Sequence, residues 1–99
     1  MSRTLVLEPE AAAEIQEAAD WYDATSQSVR IRFLNAVERT LAFIQEHPEQ
    51  YQIVYHHTRR AVLRPFPYAL MYTASDDTVT IIACLNTRRD PKRWEDRMR

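Results

Sequence analysis

The sequence predicts a two-layer α+β fold: an antiparallel helix hairpin packed on one mostly antiparallel sheet, in the order β-α-α-β-β-β with a short C-terminal helical turn. Three observations carry this. The first half holds two long stretches with apolar residues at helical spacing. The second half holds short runs rich in β-branched and aromatic residues. A chain of 99 residues leaves room for one hydrophobic core, so the two halves must cover each other.

The elements come in order. Thr4–Leu7 is short and apolar and reads as an edge strand ending at Glu8-Pro9. Proline fixes φ and lacks an N–H, which suits the first turn of a helix. Ala12, Ile15, Ala19 and Tyr22 then form one apolar stripe, with Glu10, Glu14 and Glu17 on the other sides, so a helix is expected over 9–23. The polar stretch Ala24–Ser28 breaks the pattern, and Ser26 or Ser28 can cap a second helix. That helix is expected from about Val29 to Glu46, with Phe33, Val37, Leu41 and Ile44 on its stripe, stopped by His47-Pro48. Tyr51–Tyr55, Arg59–Arg64, Tyr68–Ala74 and Val79–Leu85 read as strand segments. Ser75–Thr78 is a hairpin turn that relies on aspartate for left-handed or Asx-turn geometry. Asp90-Pro91 opens a helical turn through Trp94. The chain is a single domain over residues 1–99 with no repeats or linkers.

Composition removes several function classes. Glycine is absent altogether, so no Walker loop, dinucleotide-binding turn or nucleophile elbow can form, since each needs backbone shapes that only glycine adopts. The single cysteine, Cys84, lies in an apolar run and reads as a small buried hydrophobe rather than a reactive thiol. No apolar run is long enough for a membrane span and the start leads into no signal-peptide core, so a cytoplasmic protein without a membrane partner is expected.

Charge is split along the chain. Residues 1–50 carry −5 and residues 51–99 carry +4, which together make the net −1. The positive charge is almost entirely arginine, since Lys92 is the only lysine. Arginine offers a planar fork of donors for phosphates and carboxylates. The basic half therefore reads either as a solvated surface or as a docking face for an acidic partner. Alternation in Arg59–Arg64 turns Ala61 and Leu63 one way and Arg60 and Arg64 the other. With the helices over Ala61 and Leu63, Arg59, Arg60, Arg64, Arg88 and Arg89 are expected to form one basic patch at the sheet.

No constellation for metal or covalent chemistry stands out. His56 and His57 are adjacent and cannot chelate together on a strand, and His47 has no partner at helical spacing. No cofactor is expected. Ser26, Ser28 and Ser75 sit where capping explains them, and Glu14/Glu17 and Asp20/Asp23 lie on an exposed helix side. The arginines can hold a phosphate, but RNA cleavage by the adjacent 2′-OH also needs proton transfer, which arginine does not provide. Tyr68 and Tyr72 share a strand face, where packing is the first reading and base stacking the second.

The order of elements resembles the RelE/ParE superfamily of toxins from bacterial type II toxin–antitoxin systems. So do the strings Ala18-Ala19-Asp20-Trp21-Tyr22, Arg59-Arg60-Ala61-Val62-Leu63, Phe66-Pro67-Tyr68-Ala69-Leu70-Met71-Tyr72 and Arg88-Arg89-Asp90-Pro91 with Trp94 and Arg97 beyond it. The resemblance spans essentially the whole chain and leans to the ParE-type branch. It implies a toxin neutralised by an antitoxin encoded beside it; the +4 half and the broad apolar helix hairpin call for an acidic amphipathic partner, with Trp21, Tyr22, Phe33, Val37, Arg59 and Arg60 as the antitoxin-binding residues. It further implies DNA gyrase as target, the alternative being a ribosome-dependent mRNA endonuclease that uses Arg60, Arg64, Arg88, Tyr68 and Tyr72. Nuclease relatives typically carry a His or Tyr near the end of the last strand; Asn86 stands where a histidine is common in relatives ending in this Arg-Asp-Pro string, and it cannot titrate. A third reading is a binding module without toxicity.

Overall fold

The computed structural model describes residues 3–89, and the expected C-terminal turn from Asp90 through Trp94 lies outside them. The chain runs β1 (Thr4–Leu7), α1 (Pro9–Asp23), α2 (Gln27–Glu46), a 3-10 turn (Pro48–Gln50), β2 (Ile53–Tyr55), β3 (Thr58–Val62), β4 (Tyr68–Ala74) and β5 (Thr78–Asn86). The five strands form one sheet in the order β1-β5-β4-β3-β2. Only β1–β5 is parallel, with Thr4 beside Thr78 and Leu7 beside Ile81, and the other pairs are antiparallel. The α+β class and the edge position of the first strand are as the sequence predicts. Each of the four segments in the second half supplies a strand, so the order is β-α-α-β-β-β-β, one strand more than the expected β-α-α-β-β-β, the addition being the short edge strand β2.

Local chemistry sets the helix limits. Pro9 occupies the first turn of α1. Ser26 caps α2, its Oγ accepting the Ser28 N–H at 3.2 Å, so α2 begins two residues before Val29. His47 ends it, its N–H donating to Phe43 O at 2.8 Å before Pro48. The Ser75–Thr78 turn is closed by Ser75 N–H to Thr78 O at 2.8 Å, and Asp77 Oδ1 accepts from the hydroxyls of Ser75 (3.2 Å) and Thr78 (3.0 Å). Side-chain bonding, not left-handed backbone, makes this turn without glycine. Among the described residues the left-handed position is instead His56, φ 50°, in the exposed turn between β2 and β3.

The helices cover one face of the sheet. Ala11, Ala18 and Ala19 of α1 and Phe33, Val37 and Ile44 of α2 pack on Ala61, Leu63, Leu70, Tyr72, Val79, Ile81 and Cys84. Three alanines on the buried stripe of α1 let its backbone approach the strands closely. The opposite face carries a smaller cluster of Ala69, Met71 and Ala83, packed with Val54, Val62 and Leu85.

A bulge in β5 separates these two sets. Met71 lies beside Ala83 and Tyr72 beside Ile81, so β5 uses one residue more than β4 here, and the added residue is Ile82. Before it Val79 and Ile81 face the helices; after it Cys84 does, while Ala83 and Leu85 face away.

The bulge also lies where β1 ends. Beyond Ile81, whose carbonyl accepts the Glu8 N–H at 3.1 Å, helix α1 takes over the edge of β5, and Glu14 accepts the Cys84 N–H at 3.0 Å. Glu14 therefore does not sit on a solvated helix side as its place in the sequence suggests. Its carboxylate supplies the acceptor that a longer β1 would have supplied.

Two side chains pin the segment after α2. Tyr72, fully buried, donates its hydroxyl to Pro48 O at 2.5 Å, and Arg59 donates to the carbonyls of Tyr51 (2.6 Å) and Glu49 (3.3 Å). Replacing Tyr72 by Phe removes one buried hydrogen bond and leaves the Pro48 carbonyl without its donor. It should lower unfolding free energy by about 1–2 kcal/mol in urea titrations, with an unchanged far-UV spectrum. Phe33→Ala, which empties the centre of the core, should cost about 3–5 kcal/mol in the same assay.

Candidate functional site

The arginines expected to form one patch are distributed over both faces of the sheet. Strand alternation sends Arg59 toward the helix side with Ala61, where its guanidinium is held by Glu49 and Tyr51. Arg60 points the other way and is exposed. Arg64 does not continue the alternation, because β3 ends at Val62 and the chain turns. Phe66 N–H bonds Leu63 O at 2.8 Å, with Arg64 and a cis Pro65 at the exposed corner.

Arg88 and Arg89 lie on a second built turn. Asn86 Oδ1 accepts the Arg88 N–H at 2.8 Å, Asn86 O accepts the Arg89 N–H at 3.3 Å, and Thr87 N–H bonds Pro67 O at 2.8 Å. Asn86 thus serves as a turn-former whose amide oxygen is already engaged. The two arginines diverge from it. Arg88 acts on Tyr22, its charge opposing the upward push that burial gives the Tyr22 hydroxyl. Arg89 joins Arg60 across a cleft lined by Ala69, Met71, Leu85, Asn86 and Thr87.

This cleft is the candidate site. Arg60 and Arg89 flank an apolar floor made by the far-side cluster, in a cavity of about 40 Å³. Among the described residues the salt bridge is Arg30–Asp20, 3.1 Å, so no carboxylate there neutralises Arg60 or Arg89. Among the described residues no histidine, carboxylate or tyrosine lines the cleft. Alternation along β4 is enough to reveal Ala69 and Met71, which lie opposite in phase to Tyr68 and Tyr72. Leu85 is hidden from such reasoning by the bulge.

Four other expected site residues belong to the core. Phe33 and Val37 are buried under the sheet, at 0% and 4% exposure, so no partner reaches them while the fold is intact. Tyr68 packs among Tyr22 (ring centroids 6.1 Å apart) and Phe33 (5.6 Å), with Phe66 completing the aromatic cluster 5.0 Å from Tyr22. Edge-to-face packing of this kind stabilises by about 0.5–1.5 kcal/mol a pair beyond its burial. Tyr72 has no exposed surface, and burial pushes its hydroxyl up to about 12 despite the opposing charge of Arg59. It offers neither a stacking face nor a proton at neutral pH. Trp21 is the exception: it is 69% exposed on α1, beside the half-buried Tyr22.

Cys84 is buried, and desolvation together with the Glu14 carboxylate pushes its thiol up to about 12. The fold therefore keeps protons on Tyr72 and Cys84 at pH values where the unfolded chain, ionising near 10.0 and 9.0, has lost them. Stability from these groups is complete below those values and is lost as pH rises toward about 12. The urea midpoint should hold steady through neutral pH and fall from about pH 9 upward, and Cys84→Ala should delay the onset of that fall. A thiol reagent at about pH 8 should leave the native protein unlabelled and label it fully in denaturant.

Comparison with known proteins places this geometry. Among the described residues no helix is long and apolar enough to cross a membrane. No curated protein matches the sequence. A chain of the chromosomal ParDE TA system from P. aeruginosa superposes with a TM-score of 0.76 over 88% of this chain and 98% of its own length. The two are 13% identical, so the likeness is one of fold. The family model for the ParE toxin of type II toxin-antitoxin system, parDE, matches residues 5–91, which takes in β1 from Leu5 on, both helices, the other four strands and both arginines of the cleft. The chain belongs to the ParE toxin family of type II toxin–antitoxin systems.

Proposed function

We propose that this toxin arrests growth in the cytoplasm by poisoning DNA gyrase, and that an acidic antitoxin encoded beside it neutralises it. The observation that carries the reading is the chemistry of the cleft. Arg60 and Arg89 can bind an anion, and no described residue that lines the cleft with them can move a proton near neutral pH. Asn86, at the position where relatives with the same Arg-Asp-Pro ending commonly carry histidine, holds a turn. Of the two tyrosines a nuclease would use, Tyr72 is sealed against Pro48 and Tyr68 packs against Tyr22 and Phe33. These features support binding rather than cleavage. Gyrase as the target is supported by membership of the ParE family.

The acidic partner is supported by the net charge of +4 on residues 51–99 and by the exposed indole of Trp21. A large exposed aromatic on a helix is a common anchor for a partner chain.

Induction without the antitoxin should accumulate gyrase-linked DNA breaks and a DNA-damage response, while ribosome-bound mRNA stays intact. Codon-phased mRNA cleavage would overturn this reading in favour of a ribosome-dependent endonuclease, and loss of growth arrest in the Arg60→Ala/Arg64→Ala variant would accompany it. For the partner surface, Trp21→Ala should leave stability within about 0.5 kcal/mol. The same change should weaken the antitoxin complex at least tenfold by calorimetry, by roughly 1.4 kcal/mol.

A further inference from the structure

The cleft between Arg60 and Arg89 has a size and a lining that select one kind of occupant. We propose that it receives an acidic side chain of the antitoxin together with the aliphatic residue next to it. This rests on the reading above that an acidic protein neutralises the chain, and it assigns that protein a specific point of attachment on the sheet face turned away from the helices.

Size is the first argument. A cavity of about 40 Å³ holds roughly three waters, at the ~10–15 Å³ that one water requires. A carboxylate or a branched methyl group can seat its tip in that space, with the neighbouring residue of the partner lying over the open mouth of the cleft. Lining is the second. Ala69, Met71 and Leu85 form a floor that gains from an apolar neighbour, while Arg60 and Arg89 lie at its margin without an acidic residue of the described chain to pair with. An anion alone would leave the floor wet, and an apolar group alone would leave both arginines without a counter-charge. An Asp or Glu beside a Leu, Ile or Val satisfies both.

The third argument concerns nucleic acid. Single strands are held by basic residues interleaved with aromatic faces, and no described aromatic residue lines this cleft. Tyr68 and Tyr72, the aromatics of β4, point to the helix side and pack in the core. A phosphate-binding role for Arg60 and Arg89 would lack the stacking surface that gives such binding its strength.

The test titrates the full chain with two probes, the protein encoded by the adjacent reading frame and a short single-stranded RNA. It compares wild type with Arg60→Ala, Arg89→Ala, Arg60→Lys and, as a control, Arg32→Ala at an exposed position on α2. Each cleft alanine should weaken the protein complex at least tenfold, the size expected for losing one charged hydrogen bond. Arg60→Lys should recover part of that loss, and Arg32→Ala should change affinity less than twofold. Thermal melting should be the same for all four variants, because the substituted arginines are exposed.

Equal binding of the adjacent-frame protein by wild type and both alanine variants would overturn the proposal. Loss of RNA binding with the protein complex unaffected would overturn it in favour of a phosphate site. Failure of that protein to bind the wild-type chain at all would sink the reading of an acidic partner, and this inference with it.

Discussion

The site depends on one extra residue in one strand. Side chains in a strand alternate between faces, so inserting Ile82 against β4 reverses the facing of every later residue in β5. Had β5 continued in phase, Leu85 would have joined Val79 and Ile81 under the helices, and Cys84 would have faced away. The bulge gives Cys84 to the core and Leu85 to the far side, where it becomes part of the cleft floor. It also coincides with the end of β1, so the edge of β5 passes from a strand to a helix at the same point. Glu14 meets the backbone N–H of Cys84 there, a bond between residues 70 apart in sequence. The carboxylate and the bulge together let β5 run on to Asn86 and present the turn that carries Arg88 and Arg89.

Arginine has different work on the two faces. Arg59 organises backbone: its guanidinium gathers the carbonyls of Glu49 and Tyr51 and, with Tyr72 on Pro48, fixes the passage from α2 into the sheet. Arg60, its neighbour, stands instead in the cleft with Arg89. Adjacent residues of identical chemistry thus have unlike roles because a strand turns them to opposite sides. Substitution of Arg59 acts first on folding, and substitution of Arg60 acts first on binding.

Much of the fold is legible in the sequence. The helix stripes, the proline and serine signals and the β-rich second half each act locally, and tertiary packing agrees with them. The candidate site is legible only in part. Charge and strand alternation identify Arg60, and charge alone identifies Arg89. Phe33 and Val37 read from the sequence as partner-surface residues, yet they form the centre of the stripe that the sheet covers. A broad apolar stripe does not itself say which part stays outside. Arg64 reads as part of a strand face, but the chain leaves β3 at Val62 and turns before reaching it. Glu14 and Leu85 are out of reach for one shared reason: both depend on the Ile82 bulge, and nothing in the run Thr-Val-Thr-Ile-Ile-Ala-Cys-Leu-Asn marks which residue is the extra one.

Asn86 joins the fold to the absence of a proton shuttle. A short polar side chain at the end of β5 can reach forward to the Arg88 N–H, which fixes the turn that carries Arg88 and the cleft residue Arg89. An imidazole there would titrate near neutral pH, and its Nδ1, at the reach of the amide oxygen, could accept the Arg88 N–H only while unprotonated. The position can therefore favour turn geometry or acid–base chemistry, and in this chain it favours geometry. The cleft that results is ordered and positively charged, and its lining is apolar or amide and hydroxyl in character. Those are properties of a surface suited to holding a partner's side chain in place, with no described group in it set to break a bond.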